Sequence, residues 1–137
     1  MTAMTSRRKA ICASAFLLLA PALIVAKAAE TRMRTALTGG AIAGMTPSGH
    51  ADFRGIAAQG RARLNVEVED VNLAAGTKLD VYVSGALVGS ITVSAAPVRG
   101  GELELNSQDG AVVPAVKPGA VVVVQNGEAA IVSGVLN

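Results

Sequence analysis

The chain has 137 residues, 51% of them hydrophobic and 16% charged, with a formal charge of +2 at neutral pH. That length suits one domain of roughly 100–200 residues, and the apolar content excludes disorder driven by charge and low hydrophobicity. One tyrosine, two phenylalanines and no tryptophan count against an aromatic platform, and one histidine with one cysteine excludes a conventional metal site of several His/Cys ligands.

Residues 1–9 carry Arg7, Arg8 and Lys9 and no acid, residues 10–26 form an uncharged apolar run, and Ala26-Lys27-Ala28 places small residues at alternate positions. A basic start, an apolar middle and an A-x-A-like end are the parts of a secretory signal. The basic end stays on the cytoplasmic side while the apolar run enters the bilayer as a helix. Cleavage is expected after Ala28, with Ala26 and Ala29 as alternatives, which gives a signal peptide at 1–28 and one domain at 29–137. The other reading is an uncleaved membrane anchor, but the run contains Pro21 and is shorter than the about 20 residues a spanning helix needs. Cys12, preceded by Ile11 at the start of the run, does not suit a lipoprotein signal. Ser6-Arg7-Arg8 resembles a twin-arginine signal only faintly, because Ala10 stands where a bulky apolar residue is usual.

Loss of residues 1–28 removes Arg7, Arg8, Lys9 and Lys27 from the 12 basic residues and none of the 10 acids, so the formal charge turns from +2 to −2. The basic-protein case for nucleic acid ends there. Cys12 leaves as well, so the exported remainder carries no thiol into a compartment that permits disulfides. About 109 residues must then be held by packing, with a little under about 70% of the unfolded surface buried.

After Glu30 the apolar period is two, the period of a strand with one face inward. Thr31–Thr38 is the first expected strand. Residues 50–54 follow, with Ala51 and Phe53 inward. In 63–68, Leu64, Val66 and Val68 alternate with Arg63, Asn65 and Glu67. In 78–84, Leu79, Val81 and Val83 face one way, and Asp80 and Tyr82 the other. Residues 89–94 bring Ile91 and Val93 inward, and 102–106 bring Leu103 and Leu105. Residues 121–125 begin as an unbroken valine run, which implies cover on both faces. Residues 129–136 close the chain. Asn126-Gly127 suits a type I′ hairpin turn, since both residues tolerate positive φ, and Ser84-Gly85 suggests a second tight link. Longer connections fall at 39–49, 70–77, 95–101 and 107–119, the last punctuated by Asp109-Gly110, Pro114 and Pro118-Gly119.

About eight short strands separated by turn signals imply an all-β sandwich or small barrel. The expected fold is a single β-sandwich, immunoglobulin-like or a related Greek key, preceded by the signal-peptide helix. Its expected core is Phe53, Leu64, Val66, Val81, Ile91, Leu103, Leu105, Val123 and Ile131.

Three segments, Leu37-Thr38-Gly39-Gly40, Thr46-Pro47-Ser48-Gly49-His50-Ala51-Asp52-Phe53 and residues 60–68, are together similar to the opening of CHRD (chordin-type) domains. The likeness covers the first half of the exported remainder. It departs from the family in lacking a His-x-His element midway, for which His50 lies in the wrong place. The resemblance implies an extracytoplasmic β module; it carries over no functional residue.

Chemistry is sparse. Nucleophilic catalysis needs a base beside Ser, Thr or Cys; Ser48 and His50 share a strand face but lack an orienting partner. Paired acids serve acid–base catalysis, yet Glu67 with Glu69 and Glu102 with Glu104 read as the solvated sides of amphipathic strands. Glu69-Asp70-Val71-Asn72 and Asn106-Ser107-Gln108-Asp109-Gly110 offer the loop oxygens that calcium prefers, without an EF-hand pattern. Met33, Met45 and His50 are suitable copper ligands but lack tight spacing. Gly39-Gly40 and Gly100-Gly101 precede no helix that would hold a phosphate. Arg61 and Arg63 share a face with no interleaved aromatics, which does not favour nucleic acid.

No catalytic, cofactor or metal site is therefore assigned. The expected function is an exported, non-catalytic β-sandwich acting on another protein or on the cell envelope, in the periplasm or outside the cell. Membrane contact is expected only through an uncleaved signal segment. The alternative is a small-ligand or calcium-binding module. The valine run at 121–125 suggests addition to a neighbour's sheet edge, against the plainer reading of a core strand.

Overall fold

The computed structural model describes residues 29–137. The expected signal peptide and its cleavage point after Ala28 lie outside these residues. Among the described residues no helix is long and apolar enough to cross a membrane.

Eight strands form, as the period-two pattern requires: β1 (Thr31–Thr38), β2 (Ser48–Ile56), β3 (Arg61–Glu69), β4 (Lys78–Val83), β5 (Ala86–Thr92), β6 (Gly101–Asn106), β7 (Val121–Asn126) and β8 (Ala129–Val135). Single 3-10 turns follow β2 (Ala57–Gln59) and β6 (Ser107–Asp109), each ended by a glycine at positive φ, Gly60 and Gly110. All pairings are antiparallel, and the strands run in the order β5-β4-β7-β8-β1-β2-β3-β6.

The sheet curls until its two ends meet, so that β5 and β6 lie side by side although no ladder joins them. Glycines make that approach possible. A Cβ on Gly101 would stand 2.6 Å from Ile91 Cγ2 and 2.7 Å from the Thr92 carbonyl oxygen, and one on Gly89 would stand 2.8 Å from Leu103 Cδ2. The result is one nearly closed barrel-like sheet. Two four-stranded halves, β5-β4-β7-β8 and β1-β2-β3-β6, are linked at β8 and β1 by the single ladder pair Thr38↔Ser133. Arg34 N–H also donates to the Asn137 carbonyl at 3.2 Å.

Inside the curl lie the inward members of each strand, among them Leu37, Phe53, Leu64, Leu79, Ile91 and Val122. No polar or charged residue is buried among the described residues. The expected core residues Phe53, Leu64, Val66, Val81, Ile91 and Ile131 are there. Leu103 and Leu105 are only partly buried against it, because β6 ends the sheet and has a paired neighbour on one side alone.

Val123 is a correction. β7 alternates, with Val122 and Val124 inward and Val121 exposed, so the valine run is covered on one face rather than two. A valine at every position hides the phase of the alternation from the sequence. β7 also lies between β4 and β8, with its backbone paired on both sides, so it offers no free edge to a further strand.

The β7–β8 turn is also displaced by one residue from Asn126-Gly127. Asn126 pairs with Ala129, leaving Gly127-Glu128 as the loop. Gly127 has φ +60° and Glu128 is not in the positive region, which is the pattern of a type II′ turn. The expected type I′ geometry occurs instead at Ser84-Gly85, where both φ values are positive, 48° and 81°.

Candidate functional site

Strand alternation and register together build one charged surface on the outer face of β1, β2, β3 and β6. Alternate positions point outward on each strand, and the ladders align them in rows. One row reads Arg32, Arg54, Arg63 and Asn106; the next reads Arg34, Asp52, Asn65 and Glu104; a third brings His50, Glu67 and Glu102 together. Arg61 extends the arginine end of the face along β3. Five of the six arginines in residues 29–137 thus occupy one end of one face, and acids occupy the other.

Neighbouring strands lie about 4.8 Å apart, and like charges directly opposite each other repel. Asp52 offsets this repulsion. Its carboxylate lies 3.0 Å from Arg34 Nε, 3.5 Å from Arg54 Nε and 3.8 Å from Arg32 Nη2. The Asp52 side chain is only 16% exposed, while those arginines are about half exposed or more. Arg63 Nη2 pairs with Glu104 Oε1 at 3.0 Å. Among the described residues Arg61 forms no ion pair. Isolated surface pairs contribute about 0–1 kcal/mol, and the effect of this network is to set one carboxylate among guanidinium groups that would otherwise repel one another.

Two hollows open on this face. A dimple of about 130 Å³ is lined by His50, Asp52, Arg54, Arg63 and Asn65. A shallower groove of about 240 Å³ shares Arg54 and Arg63 with it and runs past Arg61, Asn106 and Glu30. Asn65 Nδ2 donates to Glu102 Oε1 at 2.7 Å. Asn65 Oδ1 is closed off from solvent and has no hydrogen-bond partner among the described residues.

The residues weighed from the sequence fall in different places. Ser48 Oγ donates to Glu69 Oε1 at 3.4 Å, and His50 Nε2 lies 3.5 Å from Glu67 Oε2, so serine and histidine each face an acid rather than one another. Glu102 and Glu104 are held by Asn65 and Arg63. Asn72 is tied into the fold. Its Nδ2 donates to the Ile42 and Ala43 carbonyls at 3.3 Å each, and its Oδ1 accepts from the Arg99 guanidinium. A cation on that oxygen would have to displace a positive group.

Asp70 adopts φ +56° with its N–H donating to the Val98 carbonyl, and Asp109 is exposed in the second 3-10 turn. Met33 is buried in the core and Met45 bridges to Ile42, while His50 points outward. Among the described residues no three His, Cys, Asp or Glu side chains are grouped to hold a metal. Gly39 is a close-approach residue: a Cβ there would overlap the Ile131 carbonyl.

The sequence reading paired Arg61 with Arg63 and missed their neighbours. Arg32, Arg34 and Arg54 alternate along their own strands, which was visible. That β1, β2 and β3 lie side by side, which brings all five together, was not.

No family model, no curated protein and no solved structure matches the chain.

Proposed function

We propose that the protein is an exported, non-catalytic binding module that works through the outer face of β1, β2, β3 and β6. The observation that carries this is the Asp52 network, in which one shielded carboxylate gathers three arginines on one face of the sheet. Arginine in such a pattern recognises planar anions by paired hydrogen bonds. Supporting export are the basic, apolar and small-residue parts of the segment 1–28. The likeness of the first half to chordin-type domains agrees with an extracytoplasmic setting. The finer description of the fold as a sandwich of Greek-key type rests on the two four-stranded halves and their single-pair junction.

Two measurements test this reading. Intact mass after expression with export should place the new N-terminus at residue 29, or at 27 or 30 if cleavage follows Ala26 or Ala29. The processed protein should co-sediment with isolated cell envelopes, and Arg54→Glu with Arg63→Glu should abolish that. Retention of residues 1–28 in a cytoplasmic product would remove export, and unchanged sedimentation of the double variant would remove the face.

A further inference from the structure

The outer face of the other half of the sheet, β5-β4-β7-β8, is unlike the charged one. Ladder register sets Leu87, Tyr82, Val123 and Ser133 in one outward row, and Val121 beside Val135 in the next. The rows adjoin, since Val121 and Val123 stand two apart on β7 and point the same way. Leu87, Val121 and Val135 are 60%, 43% and 44% exposed, and Tyr82 and Val123 are half-buried. Only Lys78 and Asp80 carry charge in all four strands. A contiguous apolar patch facing water marks a place where something binds.

The occupant that fits is a second copy of the chain. An unbroken valine run implies cover on both faces. The fold buries Val122 and Val124 and leaves Val121 and Val123 to be covered from outside. Sheets pack face to face about 10 Å apart through side chains of this kind. The two ends of the patch also carry opposite charge. Lys78, Asp80 and Glu128 of the β7–β8 turn lie at one end (+1 − 1 − 1 = −1), and Lys117 lies at the other, in the turn that leads into β7. A two-fold axis through the patch lays the acid end of one copy on Lys117 of the other. The charged half would repel its own image at the arginine end. A lipid surface is a poorer match, because interfacial binding wants cations around the apolar face, and Arg32, Arg34, Arg54, Arg61 and Arg63 all lie on the opposite half.

We propose that the outer face of β5-β4-β7-β8 joins two copies of this chain in a two-fold pair, with Leu87, Tyr82, Val121, Val123 and Val135 in contact and Asp80 of each copy against Lys117 of the other. This goes beyond the binding-face reading above, does not depend on it, and leaves both charged faces free. Four strands about 4.8 Å apart and six or seven residues long make a face roughly 20 Å on a side. That is at the small end of protein interfaces, so the pair is weak and forms at high concentration.

The test is sedimentation equilibrium of the full-length gene product, in the form an exporting host yields, from about 10 μM to about 1 mM. The mass should rise from one copy toward two and stop there, because a two-fold contact closes on itself. Leu87→Lys with Val135→Lys brings like charges into the contact and should leave a monomer at every concentration. Both side chains are exposed, so folding should survive, with far-UV circular dichroism as the check. Asp80→Lys alone should weaken the pair at least about tenfold, as like charges meet. Asp80→Lys with Lys117→Asp exchanges the two ends and should recover most of the loss. Arg54→Gln with Arg63→Gln, on the opposite half, should change nothing.

A monomer throughout would overturn the proposal, as would growth past two copies. Association that survives the Leu87–Val135 variant, or that is lost in the arginine variant, would place the contact elsewhere and overturn it too. A double exchange no better than Asp80→Lys would overturn the two-fold arrangement. A monomer that floats with phosphatidylcholine vesicles, and ceases to in the Leu87–Val135 variant, makes the occupant lipid. A monomer that loses envelope sedimentation in that variant makes the occupant another envelope protein. Either result rejects the second copy, whereas loss of sedimentation in the arginine variants bears on the charged face alone.

Discussion

At the scale of single residues, Asp52 and Phe53 are sequence neighbours with opposite tasks, because a strand sends consecutive side chains to opposite faces. Asp52 holds arginines together; without its charge, Arg32, Arg54 and Arg34 repel. Asp52→Asn should therefore lower stability by about 1 kcal/mol at low salt, and added salt should restore part of it by screening that repulsion. Urea unfolding at two ionic strengths checks this; a salt-independent loss would contradict it. Phe53 is 6% exposed and is the one aromatic residue in the core among the described residues. Phe53→Ala should cost about 3–5 kcal/mol, a large share of the roughly 5–15 kcal/mol a domain possesses, readable in the same unfolding curves. Both inward and outward roles on β2 were legible, since Ala51 and Phe53 alternate with His50, Asp52 and Arg54. The role of Val123 was not, because identical neighbours carry no phase.

At the scale of elements, glycines decide where strands meet and turn. Gly101→Ala would press a methyl group against the Thr92 carbonyl oxygen, a backbone atom, whereas Gly89→Ala meets only the flexible end of Leu103. Overpacking costs about 1–3 kcal/mol, so Gly101→Ala should lower the melting temperature distinctly more than Gly89→Ala; the reverse order would contradict the close β5–β6 seam. Gly127→Ala places an L-residue at φ +60°, at a cost of about 1–2 kcal/mol, which thermal unfolding would also report. The sequence located both hairpins because Gly127 and Gly85 mark them. It misplaced one turn by a residue because it took Asn126-Gly127 as the loop pair, whereas Asn126 still pairs with Ala129 and Gly127 takes the first loop position. β8 also carries a bulge: Gln125 pairs with Ala130 and Val124 with Val132, so Ile131 and Val132 both turn inward.

At the scale of the whole molecule, eight strands and most of the core were legible, but their order was not. Local alternation says which side of a strand is wet; it does not say which strand lies beside it. That is why Arg61 and Arg63 looked like a lone pair, and why the five-arginine end emerged only from the pairing of β1, β2 and β3. The same order leaves β5 and β6 each laddered on one side. Backbone groups along that seam open with less disruption than those of β4 and β7, which are laddered on both sides. Amide exchange should accordingly be faster in β5 and β6 than in β4 and β7; uniform protection would mean a fully closed barrel.

The poverty of aromatic residues gives the molecule two natural optical reporters. Among the described residues, Phe53 is the only phenylalanine and belongs to the β1-β2-β3-β6 half, while Tyr82 is the only tyrosine and belongs to the β5-β4-β7-β8 half. Tyrosine absorbs to longer wavelength than phenylalanine, the sharp vibronic bands of phenylalanine stand out from the broad tyrosine absorption in derivative spectra, and no indole signal overlies either. A single denaturation experiment can thus follow each half by its own chromophore, and any offset between the two transitions would measure how tightly the Thr38–Ser133 junction makes them unfold as one.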